Sequence, residues 1–170
     1  MSLLQQRQAS KAELLNAESR KDIDRWVAKY PVDRKSSAVM AALRIAQEQN
    51  TGYLTNDLIE AVADYLDMEA IAVYEVATFY SMYERDPVGR HKICVCTNIS
   101  CMLCGSDEVV AHLETRLGIK LGETSEDGRF TLKEVECLGA CVEAPMFEVA
   151  KAYHGKLTPE KIDQILDELD

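Results

Sequence analysis

Six cysteines stand in this chain of 170 residues, and four of them fall in two close pairs. Cys96 and Cys101 form a C-x4-C, and Cys137 and Cys141 a C-x3-C, with 35 residues between the pairs. Four thiolates converging on one point are what a [2Fe–2S] cluster requires, two at each iron. A structural zinc ion makes the same demand. Two further chemistries overlap with these. Cys101-Met-Leu-Cys104 is a C-x-x-C after a strand at a helix start, where the helix N-terminus lowers a thiol pKa for disulfide exchange. Cys96-x4-Cys101-x2-Cys104 also matches the first three ligands of a plant-type ferredoxin.

The two-plus-two set accounts for most of these residues. Disulfide exchange uses two sulfurs and leaves the Cys137–Cys141 loop without a purpose. A plant-type set needs only one distant cysteine, yet two occur close together. Zinc pairs usually sit in tight C-x2-C knuckles; the two loops here are looser and suit a wider two-iron core. On spacing alone the alternatives stay open. The loop composition suits an anionic cluster, whose charge backbone N–H donors and a helix N-terminus offset. Gly105, Gly139 and Ala140 let backbone come close, and Thr97 and Ser100 offer hydroxyl donors. Glu134, Glu136 and Glu143 near the second loop would lower a cluster's potential by like-charge repulsion.

Other functional classes find little support. Net charge is −10 with no basic stripe, which argues against a nucleic-acid surface. The polar stretch Met1–Asp22 has no apolar core of a secretory signal. Uncharged runs such as Ser36–Leu43 and Val76–Tyr83 fall far short of the roughly 20 residues that span a bilayer. A soluble chain in the cytosol is expected, where clustered thiols point to metal or redox chemistry rather than to disulfides. His91, His112 and His154 are scattered, against Rieske-type ligation. No G-x-G-x-x-G after a strand and no P-loop is present.

The elements that must position the thiols come in two sets. Residues up to about 84 read as helical. Ser10-Lys-Ala-Glu13 has the form of a capping box, Asp22–Tyr30 runs to a stop at Pro31, and Ser37–Gln49 makes the next helix. Thr55 caps a third, with Leu58, Ile59, Val62, Ala63 and Leu66 on one stripe. A fourth, Glu69 to Tyr83, is apolar on more than one side, as a central helix or a partner-facing one would be. After the turn-rich Glu84–Gly89, strands and helices alternate. A strand over Arg90–Cys96 sets Ile93 and Val95 on one face, Cys94 and Cys96 on the other. A helix follows to Leu117, starting near Cys101 or at Ser106, with Val110, Leu113 and Leu117 as its buried stripe. Strands are predicted over Arg129–Glu136 and Met146–Val149, with a hairpin partner at Ala152–Tyr153. Thr158 and Pro159 open the last helix. The fold class is therefore α+β: a helical domain over 1–84, then a β-α-β-β-α thioredoxin-like domain over 85–170. Both thiol loops follow strands, so they can emerge at one edge of the sheet.

The segments VCTNISCML, ECLGACVEAPMF and VATFY resemble the thioredoxin-like [2Fe–2S] subunit of respiratory NADH:quinone oxidoreductase (complex I), over about Ile23 to Leu169. The resemblance favours iron over zinc and implies one [2Fe–2S] cluster on Cys96, Cys101, Cys137 and Cys141. It implies that the helical domain docks on the larger subunit, which carries FMN and the NADH site. The cluster would exchange electrons with that flavin, off the main path to quinone. The chain would then act within the peripheral arm of an oxidoreductase, on the cytoplasmic side of the inner membrane. It would have no NADH or quinone site of its own and no membrane insertion. Similar subunits serve NAD-linked hydrogenases and formate dehydrogenases, and a free-standing thioredoxin-like ferredoxin is a further alternative. Cys94 and Cys104 exceed the four ligand places and are expected to be non-ligands. Cys104 lies about one helical turn from Cys101. A thioredoxin-like fold also makes a cis Pro145 more frequent than the baseline of about 5–6%.

Overall fold

Threonine and asparagine side chains set the starts of four of the helices. Thr55 Oγ1 accepts from the Leu58 N–H at 3.2 Å and opens α3 (Asn56–Leu66). Thr158 does the same for Lys161 and, with Pro159 at N1, opens α7 (Pro159–Glu168). The computed structural model describes residues 11–169. The expected cap at Ser10 lies outside them. Lys11–Leu14 is a single 3-10 turn, and α1 (Ala17–Val27) starts instead from Asn16, whose side chain accepts from the Ser19 N–H at 2.8 Å.

The chain divides into two compact units, the first ending at Pro87 and the second beginning at Val88. In the first, α1, α2 (Val39–Gln49), α3 and α4 (Ala70–Phe79) enclose one core. Ile23, Leu43, Ile59 and Leu66 are fully buried there, each contributing roughly 1.5–3 kcal/mol. The stripe predicted for α3 is buried in full. α4 ends four residues earlier than the sequence implied: Tyr80 is extended, and Tyr83 turns inward to donate its hydroxyl to the Met40 carbonyl at 2.8 Å. Burial holds that phenol up at about 12. Only Val73 and Ala77 of α4 are buried, which leaves Ile71 and Phe79 65% and 80% exposed.

The second unit has a four-stranded sheet in the order β2-β1-β3-β4. β1 (His91–Cys96) runs parallel to β2 (Phe130–Val135), from His91 opposite Phe130 to Cys96 opposite Val135. β3 (Phe147–Val149) is antiparallel to β1 and to β4 (Ala152–His154). Of the two starts expected for the helix after β1, Ser106 is the one found, in α6 (Ser106–Leu117), and a short α5 (Ile99–Leu103) precedes it. Gly105 breaks them at φ 92, a conformation other residues rarely adopt. In α6 Val109 and Leu113 are buried, while Val110 and Leu117 of the expected stripe are only partly so. Ile93, Val95, Phe147 and the inner faces of α6 and α7 share one core. α6 and α7 are joined at their surface, His112 to Asp163 at 2.9 Å and Arg116 to Asp167 at 2.7 Å. Among the described residues no helix is long and apolar enough to cross a membrane.

Candidate metal centre

Parallel pairing of β1 and β2 sends both thiol loops out from the same end of the sheet, as their positions after strands implied. Cys96 is the last residue of β1 and is buried. Its N–H donates to the Met146 carbonyl at 3.2 Å, and its thiol points to the Glu136 carbonyl at 3.8 Å. Asn98 then caps α5, accepting from the Ile99 N–H at 2.6 Å, and this short helix carries Cys101 inward to 1% exposure. The Cys101 thiol lies against that of Cys96. Burial first, and the Cys96 sulfur second, push its pKa up to about 11. A bound metal cation reverses that preference for the protonated thiol.

The second loop is irregular. The Gly139 N–H donates to the Cys137 sulfur at 3.3 Å. A 3-10 turn, Cys141–Glu143, follows, held by Glu143 N–H to Ala140 at 2.9 Å and Ala144 N–H to Cys141 at 3.2 Å. The Ala144–Pro145 peptide is cis, as the fold implied. Leu138, Ala140 and Ala144 pack on Cys96, Cys101 and Met146, so the two loops meet over a small apolar floor of their own. Cys141 is exposed yet within electrostatic reach of Cys101. Cys137 is exposed at the outer end of the loop. No group of three or more His, Cys, Asp or Glu among the described residues is gathered as around one metal ion. A binuclear cluster takes two thiolates at each iron. Four thiols on two meeting loops, with a backbone donor at one sulfur and an apolar floor beneath, fit that demand.

Two further cysteines accompany these four. Cys94 is buried in β1. Cys104 is exposed at the end of α5 and borders a cleft of about 230 Å³ with Glu108, His112 and Pro145. Thr97, expected as a donor toward the sulfurs, instead gives its hydroxyl to the Glu134 carboxylate at 2.6 Å and ties the first loop to β2. Sequence reasoning missed Tyr153 and Gly155, which touch the second loop from the end of the chain. A glycine directly after a strand was the available signal, since such a position often marks a close backbone approach.

Residues 23–170 match the model of the thioredoxin-like [2Fe-2S] ferredoxin family. The chain is 49% identical over 148 residues to the second E-type subunit of NADH-quinone oxidoreductase from Rhizobium meliloti, covering 87% of this chain and 86% of that one. It is also 49% identical over 142 residues to the E-type subunit of the same oxidoreductase from Rickettsia felis, covering 84% and 85%. Among solved structures, a chain of an NAD+-reducing [NiFe]-hydrogenase superposes with TM-score 0.65 at 19% identity, over 77% of this chain and 22% of that one. At that identity the likeness is one of fold. On the family match and the extent of these identities, the chain belongs to the thioredoxin-like [2Fe-2S] ferredoxin family, among the E-type subunits of NADH-quinone oxidoreductase.

Proposed function

We propose that this chain is the one-electron carrier subunit of an NADH:quinone oxidoreductase, and that Cys96, Cys101, Cys137 and Cys141 hold its [2Fe–2S] cluster. The observation that carries the reading is the meeting of two thiol loops at the ends of adjacent parallel strands. A cluster bound there supplies a one-electron couple, at about −400 mV if it behaves as plant-type ferredoxins do. The protein's share is to place, shield and tune. β1 and α5 present Cys96 and Cys101 from a buried floor, and Met146 and Leu138 keep water from it. The Gly139 N–H offsets charge at the Cys137 sulfur. Glu136 and Glu143, both on the second loop's side, oppose added negative charge.

The first unit is read as a docking platform for the flavin- and NADH-binding subunit, which would carry the FMN. Ile71 and Phe79 of α4, with Tyr80 and Met82 beyond it, form the exposed apolar side that supports this. The chain would then sit among peripheral-arm subunits on the cytoplasmic side of the membrane.

Co-expression with the flavin- and NADH-binding subunit tests the assembly. The expected result is a stable complex whose [2Fe–2S] EPR signal rises on adding NADH. In that preparation Phe79→Asp should abolish co-purification while leaving iron content unchanged. Chains that stay separate from the flavoprotein, or a Phe79→Asp variant that binds as well as wild type, would overturn the docking.

A further inference from the structure

Three hydrogen bonds and one close approach run from the last hairpin into the second thiol loop. The Tyr153 hydroxyl, on β4, donates to the Leu138 carbonyl at 3.0 Å, one residue beyond Cys137. The Lys156 N–H donates to the Glu143 carbonyl at 2.6 Å, two residues beyond Cys141. The Leu157 N–H donates to the Pro145 carbonyl at 3.1 Å. At Gly155 an added Cβ would sit 2.3 Å from the Glu143 Cβ and 2.6 Å from the Glu143 carbonyl oxygen. Those atoms belong to the backbone and its first carbon, so they cannot swing aside as the end of a long side chain can. The hairpin is itself anchored: β4 pairs with β3, whose Phe147 is fully buried.

We propose that β4 and the Gly155–Lys156 step clamp the second thiol loop, with Tyr153 and Gly155 as positioning residues for Cys137 and Cys141. The loop carries Cys137 and Cys141, both exposed, on irregular backbone, and its own backbone turns fix the Ala140–Ala144 part, with the Gly139 N–H on the Cys137 sulfur before it. Tyr153 holds one end of it and Lys156 the other, while Gly155 lets the connection from β4 to α7 pass close to Glu143. Neither positioning residue touches the metal. Tyr153 acts by fixing a carbonyl beside a thiol, and Gly155 by leaving room for the Lys156 N–H to reach the Glu143 carbonyl; losing an outer partner at a metal site generally costs about 10- to 100-fold in metal affinity. The inference rests on reading Cys137 and Cys141 as cluster ligands.

The test uses full-length protein purified without oxygen, as wild type, Tyr153→Phe and Gly155→Ala. Iron release to a chelator, the EPR g values of the reduced protein, and unfolding of the metal-free form are measured. Tyr153→Phe keeps the ring and loses only the hydroxyl. It should unfold like wild type, yet release iron about tenfold faster or more and show shifted g values. Gly155→Ala should lose iron or give an altered signal, and should it fail to fold, Tyr153→Phe decides alone. Wild-type g values and release rate in a folded Tyr153→Phe overturn the clamp. Wild-type protein without iron overturns the ligand reading, and the clamp with it.

Discussion

The two thiol loops solve one problem in opposite ways. The first is built on regular elements: Cys96 ends a central strand and bonds the Met146 carbonyl, Asn98 caps a short helix, and that helix buries Cys101. The second has only a 3-10 turn of its own, keeps Cys137 and Cys141 exposed, and takes its shape from a hairpin that follows it in sequence. A half-site set in a strand and a capped helix thus faces one on irregular backbone that the following chain holds. The first should survive loss of metal as ordinary core, and the second should be where metal enters and leaves.

Replacing any one of Cys96, Cys101, Cys137 or Cys141 by Ser should strip or badly destabilise the cluster, the largest effect expected. The metal-free proteins should then separate the loops. Cys101→Ser puts a hydroxyl into a buried site and should cost about 1–3 kcal/mol in denaturant unfolding. Cys137→Ser changes an exposed position and should stay within about 0.5 kcal/mol. Equal costs would break the contrast. Met146 lies under both loops and is 1% exposed, so Met146→Ala should cost about 2–5 kcal/mol and loosen iron at both.

A pH effect should appear on the hairpin side. His154, in β4, is held below its ordinary 6.5, by burial first and by the Lys161 charge second, against an opposing pull from Glu168. The fold holds the neutral ring, so below pH 6.5 the unfolded chain binds more protons than the native one. Its contribution is whole above that pH and is lost as the pH falls through the folded-state value. Unfolding of metal-free wild type against His154→Gln should show a shallower pH slope in the variant across that range. The smallest effect belongs to Cys104→Ser. Iron content should stay near normal, and its loss would move a ligand out of the second loop.

What was legible follows the same divide. Local signals with a cap or a period, such as Thr55, Thr158 and the α3 stripe, gave their elements in the right places. The paired thiols and their strands were equally readable, because the spacing of residues in one short stretch is a local property. The misplaced features depended on longer reach. α4 stops early because Tyr83 finds the Met40 carbonyl 43 residues away. Gly105, read as a close-approach residue, instead splits a helix by its positive φ. Thr97 turned from the sulfurs to Glu134, across a strand pair that composition does not announce. Tyr153 was missed for the same reason, and Gly155 showed only as a glycine after a strand: their partners lie on a loop that the fold brings near.

Iron, zinc and acid-labile sulfide per chain, measured on anaerobically purified full-length protein, bear most directly on the central claim. Two irons and two sulfides per chain are predicted, in red-brown protein, since that is the composition four thiolates hold in a binuclear cluster. One zinc without sulfide, or colourless protein without metal, would contradict it.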